Sequence, residues 1–206
     1  MARHAVLARA REARRLINKH KPDRVAVLGG DCGVDLAPFA YLNKRYDGDL
    51  AVLWLDTHSD VWTPNELVYF NSMILGNLMG EGEADFVAEV KRPIKPQNVM
   101  FAGRLDTFES LPMLAFENDF FERFKLRSAG PSELAHTSNP VLDWLKSIYA
   151  KKTGDSFRSR CSRSDALPLA AVRQSGSVGA EDLLLAFRPD DYRAGRPASF
   201  GHSQGC

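Results

Sequence analysis

Apolar residues follow two different spacings between residues 2 and 151, and each spacing predicts one kind of element. Recurrence every three or four positions predicts helices at 2–19, 36–42, 73–79, 86–90, 117–125 and 139–151. Short continuous apolar runs predict strands at 24–28, 50–55 and 98–103, with a further short strand at 126–129. Strands that alternate with helices form parallel sheets covered on both faces. We therefore expect an α/β fold of three layers, α-β-α, with a mainly parallel sheet.

The strand at 50–55 runs directly into three side chains that can bind metal. Asp56, His58 and Asp60 occupy alternate positions, and in an extended segment they would project to one side. Sites in open α/β sheets lie at the carboxyl ends of the strands. Two carboxylates and one imidazole suit a divalent cation such as Mn²⁺, Mg²⁺ or Zn²⁺. The alternative is a strand end with a capping aspartate and a surface histidine.

The upstream strand at 24–28 leads to a second group of residues with candidate chemistry. Gly29 and Gly30 permit a sharp turn, and Asp31 and Cys32 follow them at the edge of the sheet predicted for Asp56. Three roles for Cys32 stay open. It could be a thiolate ligand, which prefers Zn²⁺ to Mn²⁺. It could be a weak nucleophile, or a small buried residue.

These two motifs resemble those of the ureohydrolase superfamily, which comprises arginase, agmatinase and formimidoylglutamase. Residues 29–32 read Gly-Gly-Asp-Cys and residues 56–60 read Asp-Thr-His-Ser-Asp, where the family reads Gly-Gly-Asp-His and Asp-Ala-His-x-Asp. The resemblance covers residues 1–152. It implies an arginase-like fold and metal-dependent hydrolysis of C–N bonds in small guanidino or amidine compounds. It also implies two Mn²⁺ ions, with Asp56, His58 and Asp60 as ligands, Cys32 at the position of a family histidine, and Zn²⁺ possible because of Cys32.

Two candidate substrate-binding residues depart from the family pattern. Trp62 stands where arginases have an asparagine that contacts the substrate. Asn71 replaces a histidine credited with proton shuttling, and an amide does no acid–base work near neutral pH. A second function therefore stays open, in which the chain is a catalytically inactive, degenerate family member or a pseudogene product. Weak or absent ureohydrolase activity is the corresponding expectation.

The composition changes after Lys152. Residues 153–206 contain no Lys, Ile, Asn, Met or Trp. If residues 153–167 are read one base forward, permitted codons give a strand with Asp-x-Asp-x-x-Asp-Pro, the family's second group of metal ligands. The sequence thus predicts an incomplete arginase-like α/β domain at 1–152 and a frame-shifted, poorly ordered tail at 153–206, with a sheet edge left open beside 50–55 or 98–103. The alternative is a genuine basic, Ser-rich tail.

The chain also starts late compared with the family, because only one helix precedes the first motif. We therefore expect Met1 to be an internal start or the gene to be shortened.

Composition limits the partners and the location. The net charge of +1 gives no indication of nucleic-acid binding, and no apolar run is long enough to cross a membrane. The three cysteines are few and widely separated, which fits a reducing cytoplasm. By analogy with the family's trimers and hexamers, a homo-oligomer is possible.

Overall fold

A computed structural model of the chain describes residues 3–105, 111–156 and 169–173. The helices are α1 (Arg3–His20), α2 (Leu36–Arg45), α3 (Ile74–Met79), α4 (Ala84–Val87), α5 (Leu111–Phe124), α6 (Pro131–Leu134) and α7 (Asn139–Ser156). The strands are β1 (Ala51–Leu55), β2 (Val99–Ala102), β3 (Arg127–Ala129) and β4 (Leu169–Arg173). Short 3₁₀ helices occur at Cys32–Asp35, Phe70–Met73 and Pro96–Asn98. None of the helices in these ranges is both long enough and apolar enough to span a bilayer.

The four strands form a parallel sheet in the order β3-β2-β1-β4. Within β1, residues 51–54 are at most 3% exposed, which explains why the strand is continuously apolar. The predictions of an α/β fold and of parallel pairing between 50–55 and 98–103 are confirmed.

Helices cover the two faces of the sheet in a three-layer arrangement. On one face, Val52 and Trp54 of β1 belong to a core with side chains from α1, α2, α3 and α5. On the other face, Leu53 packs in a second core with Trp144 and Ile148 of α7. Alternate residues of β1 thus anchor opposite layers, and both layers hold the carboxyl end of the strand in place.

The predicted strand at 24–28 is wrong. These residues form no strand, Val27 is 37% exposed and Leu28 is 100% exposed. A strand needs a neighbour to accept and donate its backbone hydrogen bonds. Both edges of β1 are already taken, by β2 and by β4, so an apolar run in the segment before it does not join the sheet there.

The predicted open sheet edge is also wrong. β4 pairs with β1 from Ala51↔Leu169 to Leu55↔Arg173, and β3 pairs with β2. In addition, α7 continues to Ser156, beyond the predicted boundary at 152. The rest of the predicted frame-shifted tail lies outside the described residues.

Candidate metal centre

Asp56 lies immediately after β1, and its carboxylate fixes the turn that follows. The backbone N–H of His58 donates to Asp56 Oδ1 at 3.0 Å. This bond agrees with the capping role considered for the sequence. The other oxygen, Oδ2, is buried and accepts no hydrogen bond within the described part of the chain. Capping therefore explains the burial of Oδ1 but not that of Oδ2.

Asp60 ends the same turn in a left-handed backbone conformation, with φ of 52°. Aspartate and asparagine tolerate this conformation better than most residues. The Asp60 carbonyl accepts a hydrogen bond from the Gly76 N–H of α3 at 3.1 Å. The side chain is 2% exposed, and its Oδ2 is a second buried oxygen for which the described residues supply no donor.

Cys32 approaches the two aspartates from the 3₁₀ helix Cys32–Asp35. Asp31 caps that helix, because its Oδ1 accepts from the Gly33 N–H at 2.9 Å. Cys32 is 2% exposed and lies beside Asp60. One donor atom each from Cys32, Asp56 and Asp60 lie within 4.8 Å of one another. The structure thus brings Cys32 to the end of β1 although the strand predicted before it does not form.

The electrostatics of this cluster oppose negative charge in the absence of a cation. Burial, followed by the charges of Asp60 and Asp56, raises the pKa of the Cys32 thiol far above its usual range. Burial also raises the pKa of Asp60 to about 7. The nearby Asp35 carboxyl has its pKa raised to about 6, by burial and then by Asp31. Several acidic groups therefore share a space that water reaches poorly.

His58 lies at the rim of the cluster. Its side chain is 57% exposed, and its Nδ1 is 3.4 Å from Asp56 Oδ1. The hydrogen bond to Asp56 raises the pKa of the imidazole, and burial opposes this effect. The sequence predicted that Asp56, His58 and Asp60 converge, whereas the structure joins Asp56 and Asp60 with Cys32. The turn after β1 breaks the alternation on which the prediction for His58 relied.

Trp62 and Asn71 lie on two segments that contact each other beside the cluster. The Trp62 N–H donates to the Ser72 carbonyl at 3.2 Å, and the Trp62 side chain is 2% exposed. Asn71 is half-buried in the 3₁₀ helix Phe70–Met73. Substrate binding by either residue stays a prediction.

A buried ion pair near this end of the sheet was not predicted from the sequence. Arg104 follows β2, and its Nη1 is 3.2 Å from Oε2 of Glu117, which is 0% exposed. Arg104 also lies over the Phe121 ring, 4.3 Å from its centroid. Glu117 is close enough to His58 to contribute to raising the imidazole pKa. One feature of the sequence could have indicated this pair. Glu117 lies three residues before Phe120 and four before Phe121, so it falls on the apolar face of α5, where a charged side chain needs a partner.

The donor set fits one divalent cation. It combines a thiol sulfur with two carboxylates, and each aspartate has a buried oxygen that lacks a hydrogen-bond donor. Such oxygens are costly to bury unless a cation or a donor meets them. Within the described ranges this is the one cluster of three or more potential ligands. The second group of aspartates expected for a two-ion centre is absent from the sequence as written.

Comparisons with known proteins agree on one family. The sequence profile of the arginase family matches residues 2–149. Arginases of Staphylococcus aureus strains MRSA252 and COL are each 34% identical over 82 residues, which is 39% of this chain and 27% of the relative. The match therefore spans about a quarter of the length of these curated relatives.

Solved structures of two arginases and of a formimidoylglutamase share the fold. The arginase of Bacillus subtilis is 24% identical, with a TM-score of 0.58 over 70% of this chain and 52% of that chain. The arginase of Entamoeba histolytica, solved with L-ornithine, is 20% identical, with a TM-score of 0.57 over 71% and 50% of the two chains. The formimidoylglutamase of Bacillus subtilis is 18% identical, with a TM-score of 0.51 over 72% and 41%. The chain thus corresponds to 41–52% of the length of these three structures.

Proposed function

This chain belongs to the arginase family, and from that premise we propose that it is a metal-dependent hydrolase of C–N bonds in guanidino or amidine compounds. One observation carries the proposal. Two buried aspartates and a cysteine place their donor atoms within 4.8 Å of one another at the carboxyl end of β1. This is the end of a parallel sheet at which active sites are built.

The roles of the residues follow from their positions. Asp56 and Asp60 supply negative charge to a cation, and the turn between them is held by the amide of His58 and by the amide of Gly76. Asp56, Asp60 and Cys32 would hold a divalent cation, which would supply Lewis-acid chemistry at this end of the sheet. His58 is exposed at the rim, so its ring can exchange a proton with solvent or with a departing amine.

The charge of the site supports the substrate class. Asp35 lies on the same 3₁₀ helix as Cys32, near enough to Asp60 for its charge to act on that carboxyl, and Asp31 caps this helix. A guanidinium group is a planar cation that pairs with carboxylates. The Entamoeba histolytica relative was solved with L-ornithine, an amino acid with a cationic side chain, which agrees with this class.

The proposal also covers the bound ion, the cellular location and the oligomeric state. Mn²⁺ is the ion that family membership favours, and Zn²⁺ is the alternative raised by Cys32. The odd number of cysteines supports a cytoplasmic location. A homo-oligomer is proposed by analogy with the family alone. Trp62 and Asn71 remain the candidates for contacting the substrate.

The experiment is a release assay on the purified full chain. Urea, ammonia and amine release would be measured from arginine, agmatine and simple amidines, with Mn²⁺ or Zn²⁺ added. We expect slow, metal-dependent release, below the roughly 1 per second of ordinary enzymes, because the second aspartate group is absent. Asp56→Asn keeps an oxygen for the His58 amide but removes the charge, and should lower the rate by about 100-fold or more, since loss of an outer partner alone costs about 10- to 100-fold.

The control is Asp143→Asn, on the exposed outer side of α7, which should leave the rate unchanged. Background release with every metal and substrate would instead support the inactive family member.

A further inference from the structure

We infer that Cys32 is a metal ligand and that its sulfur makes the site prefer a thiophilic divalent cation, Zn²⁺ over Mn²⁺. This inference rests on the proposed function and deepens it by naming the class of ion. It also separates the chain from the family's manganese chemistry, because the family has an imidazole at this position.

The position of Cys32 is set by its surroundings. The cap from Asp31 fixes the first turn of the 3₁₀ helix that begins at Cys32. Phe70 packs against the next residue, since a Cβ on Gly33 would lie 3.1 Å from its ring. The backbone that carries Cys32 is therefore held by the Asp31 cap and by Phe70, next to the two aspartates.

A buried cysteine by itself indicates nothing, and the evidence for a ligand comes from its neighbours. Asp60 is 2% exposed, and its Oδ2 has no hydrogen-bond donor among the described residues. Asp56 Oδ2 is in the same situation. Both carboxylates contribute to the group that includes Cys32 Sγ, with its atoms within 4.8 Å. Ligand atoms lie about 2.0–2.3 Å from a bound Zn²⁺, so atoms this close together can share one ion.

The sulfur decides which ion the set favours. Carboxylates alone suit Mn²⁺ and Mg²⁺, whereas a thiolate adds a soft ligand that favours Zn²⁺. An imidazole in the same place would bind either ion. The difference between a cysteine and a histidine at position 32 should therefore change the ratio of the two affinities more than it changes the number of ions bound.

The test uses Co²⁺ as a spectroscopic probe of the full chain. Cys161 and Cys206 lie outside the described residues, so Cys161→Ser and Cys206→Ser are introduced first, leaving Cys32 as the one thiol. Cobalt bound by a thiolate gives an intense sulfur-to-metal charge-transfer absorption, which oxygen and nitrogen ligands do not give. We expect this absorption to saturate at one Co²⁺ per chain and to disappear when Zn²⁺ is added, but not when an equal amount of Mn²⁺ is added.

Two variants on that background are compared. Cys32→Ser should lose the absorption and bind Zn²⁺ roughly 100-fold more weakly. Loss of a residue that only hydrogen-bonds to a metal ligand already weakens metal binding by about 10- to 100-fold. Cys32→His should bind Co²⁺ without the absorption, and its affinity ratio of Zn²⁺ to Mn²⁺ should fall at least about tenfold, or 1.4 kcal/mol. Far-ultraviolet circular dichroism checks that each variant is folded. If Cys32→Ser does not fold, Cys32→His alone still tests the inference.

The outcomes separate this inference from the proposed function. A Cys32-dependent absorption supports both. Binding of Co²⁺ without the absorption overturns the inference and leaves the metal-dependent hydrolase standing. Failure of the folded chain to bind Co²⁺, Zn²⁺ or Mn²⁺ overturns both.

Discussion

Replacing Asp60 with asparagine should stabilise the metal-free protein at pH 8 by about 4 kcal/mol, because the pKa of Asp60 rises on folding from its ordinary 3.8 to about 7. Each pH unit in that interval corresponds to about 1.4 kcal/mol. Burial is the main cause, so the cost arises from ionising a carboxyl that water cannot reach. Asparagine has the same shape, carries no charge and tolerates the left-handed backbone of this position.

The stability gain of Asp60→Asn should increase with pH. A carboxyl with a raised pKa binds more protons in the folded state, so the free energy of unfolding falls as pH rises from about 4 to about 7. The advantage of Asp60→Asn should therefore be absent near pH 4, grow through this interval and level off above it. Urea unfolding at several pH values, with a chelator present, measures it.

The control for this prediction is Asp143→Asn. Asp143 is 68% exposed and pairs with Lys146 on the surface of α7, so its loss should change stability by at most about 0.5 kcal/mol. Equal stability of wild type and Asp60→Asn at pH 4 and pH 8 alike would contradict the burial of a charged carboxyl in this cluster.

Replacing Glu117 with glutamine should destabilise the protein by about 3–5 kcal/mol, the usual cost of removing one partner from a buried ion pair. Glu117 is 0% exposed and Arg104 is 10% exposed, so the substitution leaves a guanidinium in a poorly hydrated space. The pair joins α5 to the segment that follows β2, and thus supports the edge of the sheet at which the aspartates lie. Urea unfolding at pH 7 measures this change.

A double variant distinguishes the charge from the packing. Arg104→Met with Glu117→Leu removes both charges and keeps apolar volume, so it should be much more stable than Glu117→Gln alone. The cation–π contact of Arg104 with Phe121 is lost in the double variant, at a cost of about 1 kcal/mol or less. If Glu117→Gln changes the stability by less than about 1 kcal/mol, the pair is not the structural support described above.

The elements that the sequence predicted well are those that depend on local patterns. The apolar run of β1 and the helical spacings of α1 and α7 specify their elements without reference to distant residues. The run at 24–28 has the same local pattern but pairs with no strand, and the two places beside β1 are filled by other strands. Which strands fill these places is a property of the whole sheet, in which β4 takes the second edge of β1.

The candidate site divides in the same way. Alternation after β1 predicted that Asp56 and Asp60 lie together. Cys32 was predicted to lie near them at the end of a strand at 24–28, and it does lie near them although that strand does not form. The position of His58 depends on a turn whose last residue, Asp60, has a positive φ, and this is not readable from a strand pattern. Arg104 and Glu117 lie on different elements, so the sequence does not indicate that they pair. It indicates only that Glu117 lies among phenylalanines.

The metal content of the purified chain shows whether Cys32, Asp56 and Asp60 hold a cation. Wild type, Asp60→Asn and Asp143→Asn would be dialysed against Zn²⁺ and Mn²⁺, freed of loosely bound ions and measured by inductively coupled plasma mass spectrometry. We expect one tightly bound divalent ion per chain in wild type and in Asp143→Asn, and little or none in Asp60→Asn. Equal metal content in all three proteins, or no bound metal in folded wild type, would show that Cys32, Asp56 and Asp60 are not a cation site.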